Sequence, residues 1–406
     1  MPVPYFARHL ETRLTPQRGS ARKIHLVQGA RQTGKSTLLR HVLEGCGPAL
    51  VLDLQDRRLR RRYEADDGLL VRELEADPGV RAVFIDEIQK VPGLLDDVQY
   101  LHDRDPERFH LVLTGSSARQ LRRHAANLLP GRVHASFLSP VLQAEIRDCE
   151  ILPLRHGTGE RFPARDLFAC LVQGSLPGLF HESAASWTET LGSYVDLYIE
   201  NEIRQENVVA DMGAFARFLR LAALESGQVV NFTKLARDVG VAPNTLRNFY
   251  QVLEDTHVGL RVRAFGRSRK RVLQAPRFLL FDLGVRHVLA GLPVDDVLLR
   301  LDPGHLFEQW ALAELWYRCQ ARGRGHTLST WTTASGAEVD AIVETPDEAI
   351  PVEVKWTDRP TPTDARHVET FLDLHPDLAR RGYVVCRCPR RQALTPRTTA
   401  LPWDVF

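Results

Sequence analysis

Residues 29 to 36 read Gly29-Ala30-Arg31-Gln32-Thr33-Gly34-Lys35-Ser36, two glycines, a lysine and a hydroxyl at the GxxxxGK[ST] spacing that grips nucleotide phosphates. In such a loop successive backbone N–H groups point at a phosphate, the glycines permit the backbone angles this needs, and the helix that follows adds its positive N-terminal dipole. Lys35 would bridge the β- and γ-phosphates, Ser36 would hold Mg²⁺, and the stretch from Gly29 through Thr37 would form the ATP cradle. One strand further on, Ala82 to Ile85 is an apolar run that delivers Asp86 and Glu87 at its C-terminal end, where ligand sites of α/β folds sit. Asp86 would orient a Mg²⁺-bound water and Glu87 would polarise the attacking one.

Two more positions extend this chemistry. The apolar stretch Phe109 to Leu113 runs into Thr114-Gly115-Ser116-Ser117, where a sensor of the γ-phosphate would lie; Ser116 is the first candidate and Thr114 the reserve. Arg132 follows Leu128-Leu129-Pro130-Gly131 just before an expected strand at 133–138, a place from which an arginine can reach a neighbouring subunit's phosphates. The bland alternative for Arg132 is a surface ion pair.

The C-terminal hundred residues hold a second candidate centre. Asp340 lies on an expected strand at 337–344, and Glu353-Val354-Lys355 lies on the next, at 350–356. A period of two puts Glu353 and Lys355 on one face, so a carboxylate and an ammonium converge on one ligand. Order and polarity resemble the core of PD-(D/E)XK nucleases. That resemblance makes Asp340 and Glu353 metal ligands, lets Glu308 complete the shell from a preceding helix, and leaves Lys355 to orient water or neutralise the phosphate. Chance competes here, because an Asp followed by Glu-x-Lys is a short pattern.

The elements that must position these residues fall into four stretches. Strands alternate with helices up to about residue 145, and 146–210 reads as a helical lid. Gly174-Ser175-Leu176-Pro177 within the lid is a turn that could touch the nucleotide base. From 211 to 285 three helices, near 214–225, 232–239 and 244–254, precede a basic hairpin. Gly240 sits at the tight turn and Pro243 opens the third helix, the spacing of a winged helix-turn-helix. Arg247, Arg267, Arg269, Lys270 and Arg271 would contact DNA phosphates from it. Residues 286–406 carry the nuclease-like α/β pattern.

Composition sets bounds. A chain of 406 residues exceeds what one core usually supports, and a net charge of +2 does not advertise a nucleic-acid partner by bulk charge. Six scattered cysteines without a CxxC pair support neither a zinc knuckle nor a secreted disulfide framework. No apolar stretch approaches the ~20 residues of a membrane span, and no signal peptide is visible, so the expectation is a cytoplasmic protein with no membrane partner.

Taken together, Gly29 to Ser36, Ile85 to Lys90, Leu113 to Ser117, Leu128 to Arg132, Gly174 to Pro177, Glu338 to Asp340 and Val352 to Lys355 resemble the bacterial and archaeal AAA-type ATPases with a C-terminal domain of unknown function, itself considered nuclease-like. The resemblance implies an AAA-like P-loop core with a parallel sheet, ATP and Mg²⁺ at the first site, and a homo-oligomer. Pro130 stands where that family more usually has a small residue, which bears on Arg132. The expected activity is Mg-dependent ATP hydrolysis driving a conformational or oligomeric switch on DNA. The rival is a nucleotide-gated signalling or assembly protein with an inert nuclease-like domain. A nucleotide kinase is disfavoured, because Asp86-Glu87 is hydrolase-like and more than half of the chain would go unexplained.

Overall fold

The computed structural model describes residues 4–16, 23–116, 131–183, 186–196, 211–266 and 274–406. The chain forms two compact units. The first comprises 1–139, 155–161 and 255–257, and the second the remainder.

The first unit is built on β1 (Ile24–Gln28), β2 (Ala49–Asp53), β3 (Ala82–Asp86), β4 (His110–Gly115) and β5 (Val133–Phe137). All pairs are parallel, in the order β2-β3-β4-β1-β5. A parallel sheet needs helices on both faces, and its strands are accordingly apolar on both sides. Val83 and Ile85 of β3 and Leu111 and Leu113 of β4 face one core, whereas Ala82, Phe84 and Val112 face the other. Helices α4 (Leu69–Ala76) and α5 (Leu94–Arg104) cover the first face through Leu70, Leu74, Leu94, Val98 and Leu101. The opposite face is closed by α1 (Glu11–Leu14) and α2 (Lys35–Glu44) through Leu10, Leu14, Leu38, Leu39 and Val42. Between β2 and α4 lies α3 (Arg57–Glu64), N-capped by Asp56, whose carboxylate accepts from the Arg58 amide.

Strand order decides the site. β4 lies between β1 and β3, so its C-terminal end falls between the phosphate loop that follows β1 and the acids that end β3. This mixed α/β architecture with five parallel strands is consistent with an AAA-like P-loop core.

The second unit carries an eight-stranded sheet with the order β12-β13-β11-β10-β9-β8-β6-β7. Its members are β6 (Gly259–Ala264), β7 (Arg277–Leu280), β8 (Thr327–Thr332), β9 (Glu338–Glu344), β10 (Ala349–Val354), β11 (Gly382–Cys386), β12 (Gln392–Ala393) and β13 (Thr398–Pro402). Helices Met212–Leu224, Phe232–Val239 and Pro243–Asp255 precede β6, and Gly240 closes the second of them at φ 83°. Phe215, Phe218, Phe249, Tyr250 and Phe278 interlock in edge and tilted pairs behind them. β6 pairs antiparallel with β7 and parallel with β8, so this hairpin and the C-terminal strands share one sheet. Ahead of them lie helices Leu167–Val172 and Trp187–Tyr194. Arg267, Arg269, Lys270 and Arg271 lie outside the described residues, as do Ser117, 128–130 and the expected helical residues 197–203. Among the described residues no helix is long and apolar enough to cross a membrane.

Candidate nucleotide site

β1 ends at Gln28 and the chain turns at Gly29 with φ 155°. A Cβ there would stand 2.2 Å from the Leu138 carbonyl oxygen, so glycine alone fits. Gly34, at φ 91°, turns the chain into α2 and leaves the first amides of that helix unpaired by intrahelical bonds. Ala30 and Thr33 are buried, with the Thr33 hydroxyl donating to the Ala30 carbonyl at 2.9 Å; Arg31 is half-buried, and Gln32 and Thr37 are exposed. Lys35 is buried, and its ammonium donates to the carbonyls of Gly29 at 2.9 Å and Ala30 at 2.8 Å. The cation that would meet phosphate therefore rests on the loop's own oxygens.

The two groups that would share Mg²⁺ already touch, for the Ser36 hydroxyl donates to Asp86 Oδ2 at 2.6 Å. Thr114 Oγ1 donates to Asp86 Oδ1 and accepts the Glu87 amide at 2.9 Å. Glu87 is held at φ 60°, an uncommon angle for a side-chain-bearing residue, which turns it away from the strand direction. Its Oε2 accepts from Ser116 Oγ at 2.9 Å and from the Gln89 amide nitrogen. Burial acts to raise the Glu87 pKa. The charges of Lys35 and Arg31 and the hydrogen bonds from Ser116 and Gln89 outweigh it, so Glu87 is held below its ordinary value and stays a carboxylate.

The structure brings close to one another Gly29, Lys35, Ser36, Asp86, Glu87 and Ser116, residues singled out in the sequence. Thr114, the reserve candidate, reaches Asp86, and Ser116 reaches Glu87. Two residues escaped sequence reasoning. Gln89 lies inside the Ile85 to Lys90 stretch but was given no role. Arg8 is buried and donates from Nη1 to the Thr33 carbonyl at 2.6 Å and from Nη2 to the Ser139 carbonyl at 2.7 Å, tying the phosphate loop to the chain beyond β5. A lone arginine 25 residues upstream of its partner carries no motif. Arg132 is a member of an ion pair within its own subunit, with Nε 2.5 Å from Asp103 Oδ1 and Nη2 2.9 Å from Asp103 Oδ2 on α5. That fork raises the Arg132 pKa and depresses that of Asp103.

The second candidate centre lies in the other unit. Lys355 follows β10 and donates to Glu353 Oε1 at 2.6 Å. Asp340 Oδ2, on β9, accepts the Val354 amide at 2.8 Å. Glu353 Oε2 is buried with no hydrogen-bond partner. Burial, then the Glu308 charge, pushes Asp340 up to about 7. Burial, then Asp340, pushes Glu353 up to about 7. Arg277, which the sequence gave no reason to choose, donates to Glu308 and, at 2.8 Å, to Glu338. Glu308 therefore faces a guanidinium, and among the described residues no group of three or more His, Cys, Asp or Glu is disposed to hold a metal ion. In the same unit, Gly174 has φ 77° and the Ser175 amide donates to Asp282 Oδ2 at 2.6 Å.

Residues 21–147 match the family model of an AAA domain. That match supports an AAA-type P-loop ATPase for the first unit's fold and sequence. Residues 164–296 and 303–406 match two models described as domains of unknown function. Uncharacterized proteins of Mycobacterium tuberculosis and Mycobacterium bovis are each 28% identical over 385 residues, covering 93% of this chain and 80% of theirs. A crystal structure of a Vibrio cholerae protein aligns over 90% of this chain and 89% of its own at 12% identity with a TM-score of 0.18, which carries no argument about the fold.

Proposed function

We propose that the chain is a Mg-dependent ATPase whose hydrolysis drives a conformational or oligomeric switch acting on DNA. The carrying observation is the hydrogen-bonded chain from Ser36 through Asp86 and Thr114 to Glu87, with Ser116 and Gln89 on the Glu87 carboxylate, at the ends of three adjacent strands. Asp86 and Ser36, already in contact, would hold Mg²⁺ between them; when bound, the ion neutralises phosphate charge and fixes the triphosphate. Lys35 exchanges its two loop carbonyls for phosphate oxygens. Glu87, kept ionised by Lys35 and Arg31, accepts the proton of the attacking water, and Ser116 and Gln89 hold its carboxylate in place. Thr114 keeps both acids in register.

Arg132 acts as a finger in this reading only if a neighbouring copy draws it from Asp103. DNA would be held by a winged helix at 211–285, with Arg247 on phosphate; that side chain is exposed, stacked over Phe232 at 5.1 Å. The Asp340, Glu353 and Lys355 centre is a PD-(D/E)XK-like site in which the orphaned Glu353 oxygen and Asp340 would receive Mg²⁺.

One observation favours a second reading, in which the nuclease-like part is inert and the chain is a nucleotide-gated assembly protein. Arg277 is already ion-paired with Glu308 and Glu338, and Lys355 with Glu353. Plasmid incubated with the full chain, Mg²⁺ or Mn²⁺ and ATP separates the two. Cleavage that disappears in Asp340→Ala and Lys355→Ala supports the first; intact plasmid with ATP-dependent growth in particle size supports the second. Lys35→Ala tests the ATPase itself, which fails as a proposal if that variant hydrolyses ATP like the parent.

A further inference from the structure

Helix α3 reads Arg57-Arg58-Leu59-Arg60-Arg61-Arg62-Tyr63-Glu64. Leu59 and Tyr63, four apart, pack into the core of the first unit, which leaves five arginines on the remaining surface. Spacing three or four apart sets Arg57 against Arg60 and Arg61, and Arg58 against Arg61 and Arg62, all repulsive contacts. Arg62 is neutralised by Glu73. Arg57, Arg58 and Arg61 are exposed and form no ion pair among the described residues, and Arg60 Nε is buried without a hydrogen-bond partner. A chain of net charge +2 has concentrated like charge on one short helix at a cost in helix stability.

The helix also adjoins the catalytic edge. β2, which precedes it, ends at Asp53 in register with Asp86. Lys90, which ends the single 3-10 turn Ile88–Lys90 directly after Glu87, has Glu87, Arg31, Arg60 and Asp53 as its electrostatic neighbours. Arg31 and Arg60 are thus both within electrostatic reach of Lys90, beside the carboxylates of Glu87 and Asp53. At ~1.5 Å per residue the helix is about 12 Å long. Over that length a duplex presents about seven phosphates on its two strands. Planar guanidiniums suit phosphate oxygens in pairs, and a phosphodiester backbone supplies them at regular spacing.

We propose that α3 is a nucleic-acid backbone contact of the ATPase unit, with Arg57, Arg58 and Arg61 on phosphates. This rests on the reading that the chain acts on DNA, and it adds a second contact surface on the nucleotide-binding unit itself.

The test measures binding of a labelled duplex and a labelled single strand to the full chain across a salt series, together with ATP turnover. Arg57→Gln, Arg58→Gln and Arg61→Gln combined should keep basal ATP turnover, since all three are exposed and none is among the residues placed at the nucleotide site, and should lose nucleic-acid stimulation of it. The salt dependence should flatten by about 2 to 3 in the slope of log K against log salt, with affinity down at least about ten-fold near 0.1 M salt. The triple Arg→Lys variant should restore most of the slope. If the parent binds no nucleic acid at low salt, the DNA reading falls and this inference with it. If the parent binds and Arg247→Gln weakens it while the α3 triple variant keeps the parental slope, α3 is not a contact although the DNA reading stands. Binding of polyglutamate as tightly as the duplex would equally overturn it, since the surface would then read charge on any acidic polymer.

Discussion

Glu87 carries most of the catalytic argument, and its environment sets the size of the expected effects. It is a buried carboxylate kept charged by Lys35 and Arg31, so Glu87→Gln should leave ATP binding intact and lower turnover by about 10² or more, measured as phosphate release at saturating ATP. Parental turnover in that variant would remove Glu87 as the base. Thr114 is the residue that couples the two acids. Thr114→Val preserves shape but strands the Glu87 amide, at about 1–3 kcal/mol for an unpaired buried donor. Turnover about ten-fold lower with an unchanged fold is the expected outcome, and a variant as active as the parent would show that the hydroxyl is dispensable. Lys35 and Ser36 were legible in the sequence because phosphate binding demands contiguous residues at fixed spacing. Arg8, Gln89 and Arg277 were not, because their partners are reached through the fold rather than along the chain, and a single hydrogen-bonded side chain leaves no period to read.

At the scale of elements, the β1 to α2 turn and the β9–β10 pair make opposite demands. Gly29→Ala forces a Cβ to within 2.2 Å of the Leu138 carbonyl, so the loop or β5 must move. About 1–3 kcal/mol of lost stability is expected, together with loss of ATP binding by calorimetry; wild-type affinity would mean that the turn can yield. On β9 and β10 the prediction concerns pH. Asp340 and Glu353 titrate near 7 in the folded chain and near ordinary carboxylate values when unfolded, so the folded state holds more protons between about 4 and 7. Their contribution to stability is therefore greatest below that window and is lost as pH rises through it. Asp340→Asn, neutral throughout, should melt above the parent at pH 8 and level with it near pH 4. Should the parent melt higher at pH 8, the carboxylate is stabilised by something other than its proton. Added Mg²⁺ at pH 8 should raise the parent's melting temperature but not the variant's, if the acids take a metal. Strand periodicity made β9 and β10 legible to within two residues at each end, whereas the two-residue β12 and the pairing of β6 with β8 were not, the latter because it joins segments more than sixty residues apart.

Across the whole molecule, the sequence pointed, through its resemblance to AAA-type ATPases, to a P-loop core with a parallel sheet, which the five parallel strands match, and to an α/β pattern over 286–406 with no strand order named. It did not foresee that the hairpin after the third helix belongs to the C-terminal sheet, because hydrophobic alternation specifies a strand without naming its neighbour. If nucleotide binding is the input, as proposed, then the switch, DNA contact through α3 and the 211–285 segment, and any use of Asp340, Glu353 and Lys355 follow from it. The direct test is calorimetric titration of ATP into the full chain with Mg²⁺, the parent beside Lys35→Ala. The account predicts one saturable site per chain in the parent and affinity at least about ten-fold weaker in the variant, a difference of about 1.4 kcal/mol. A well-folded parent that gives no heat with ATP, or a Lys35→Ala protein that binds it equally well, would contradict it.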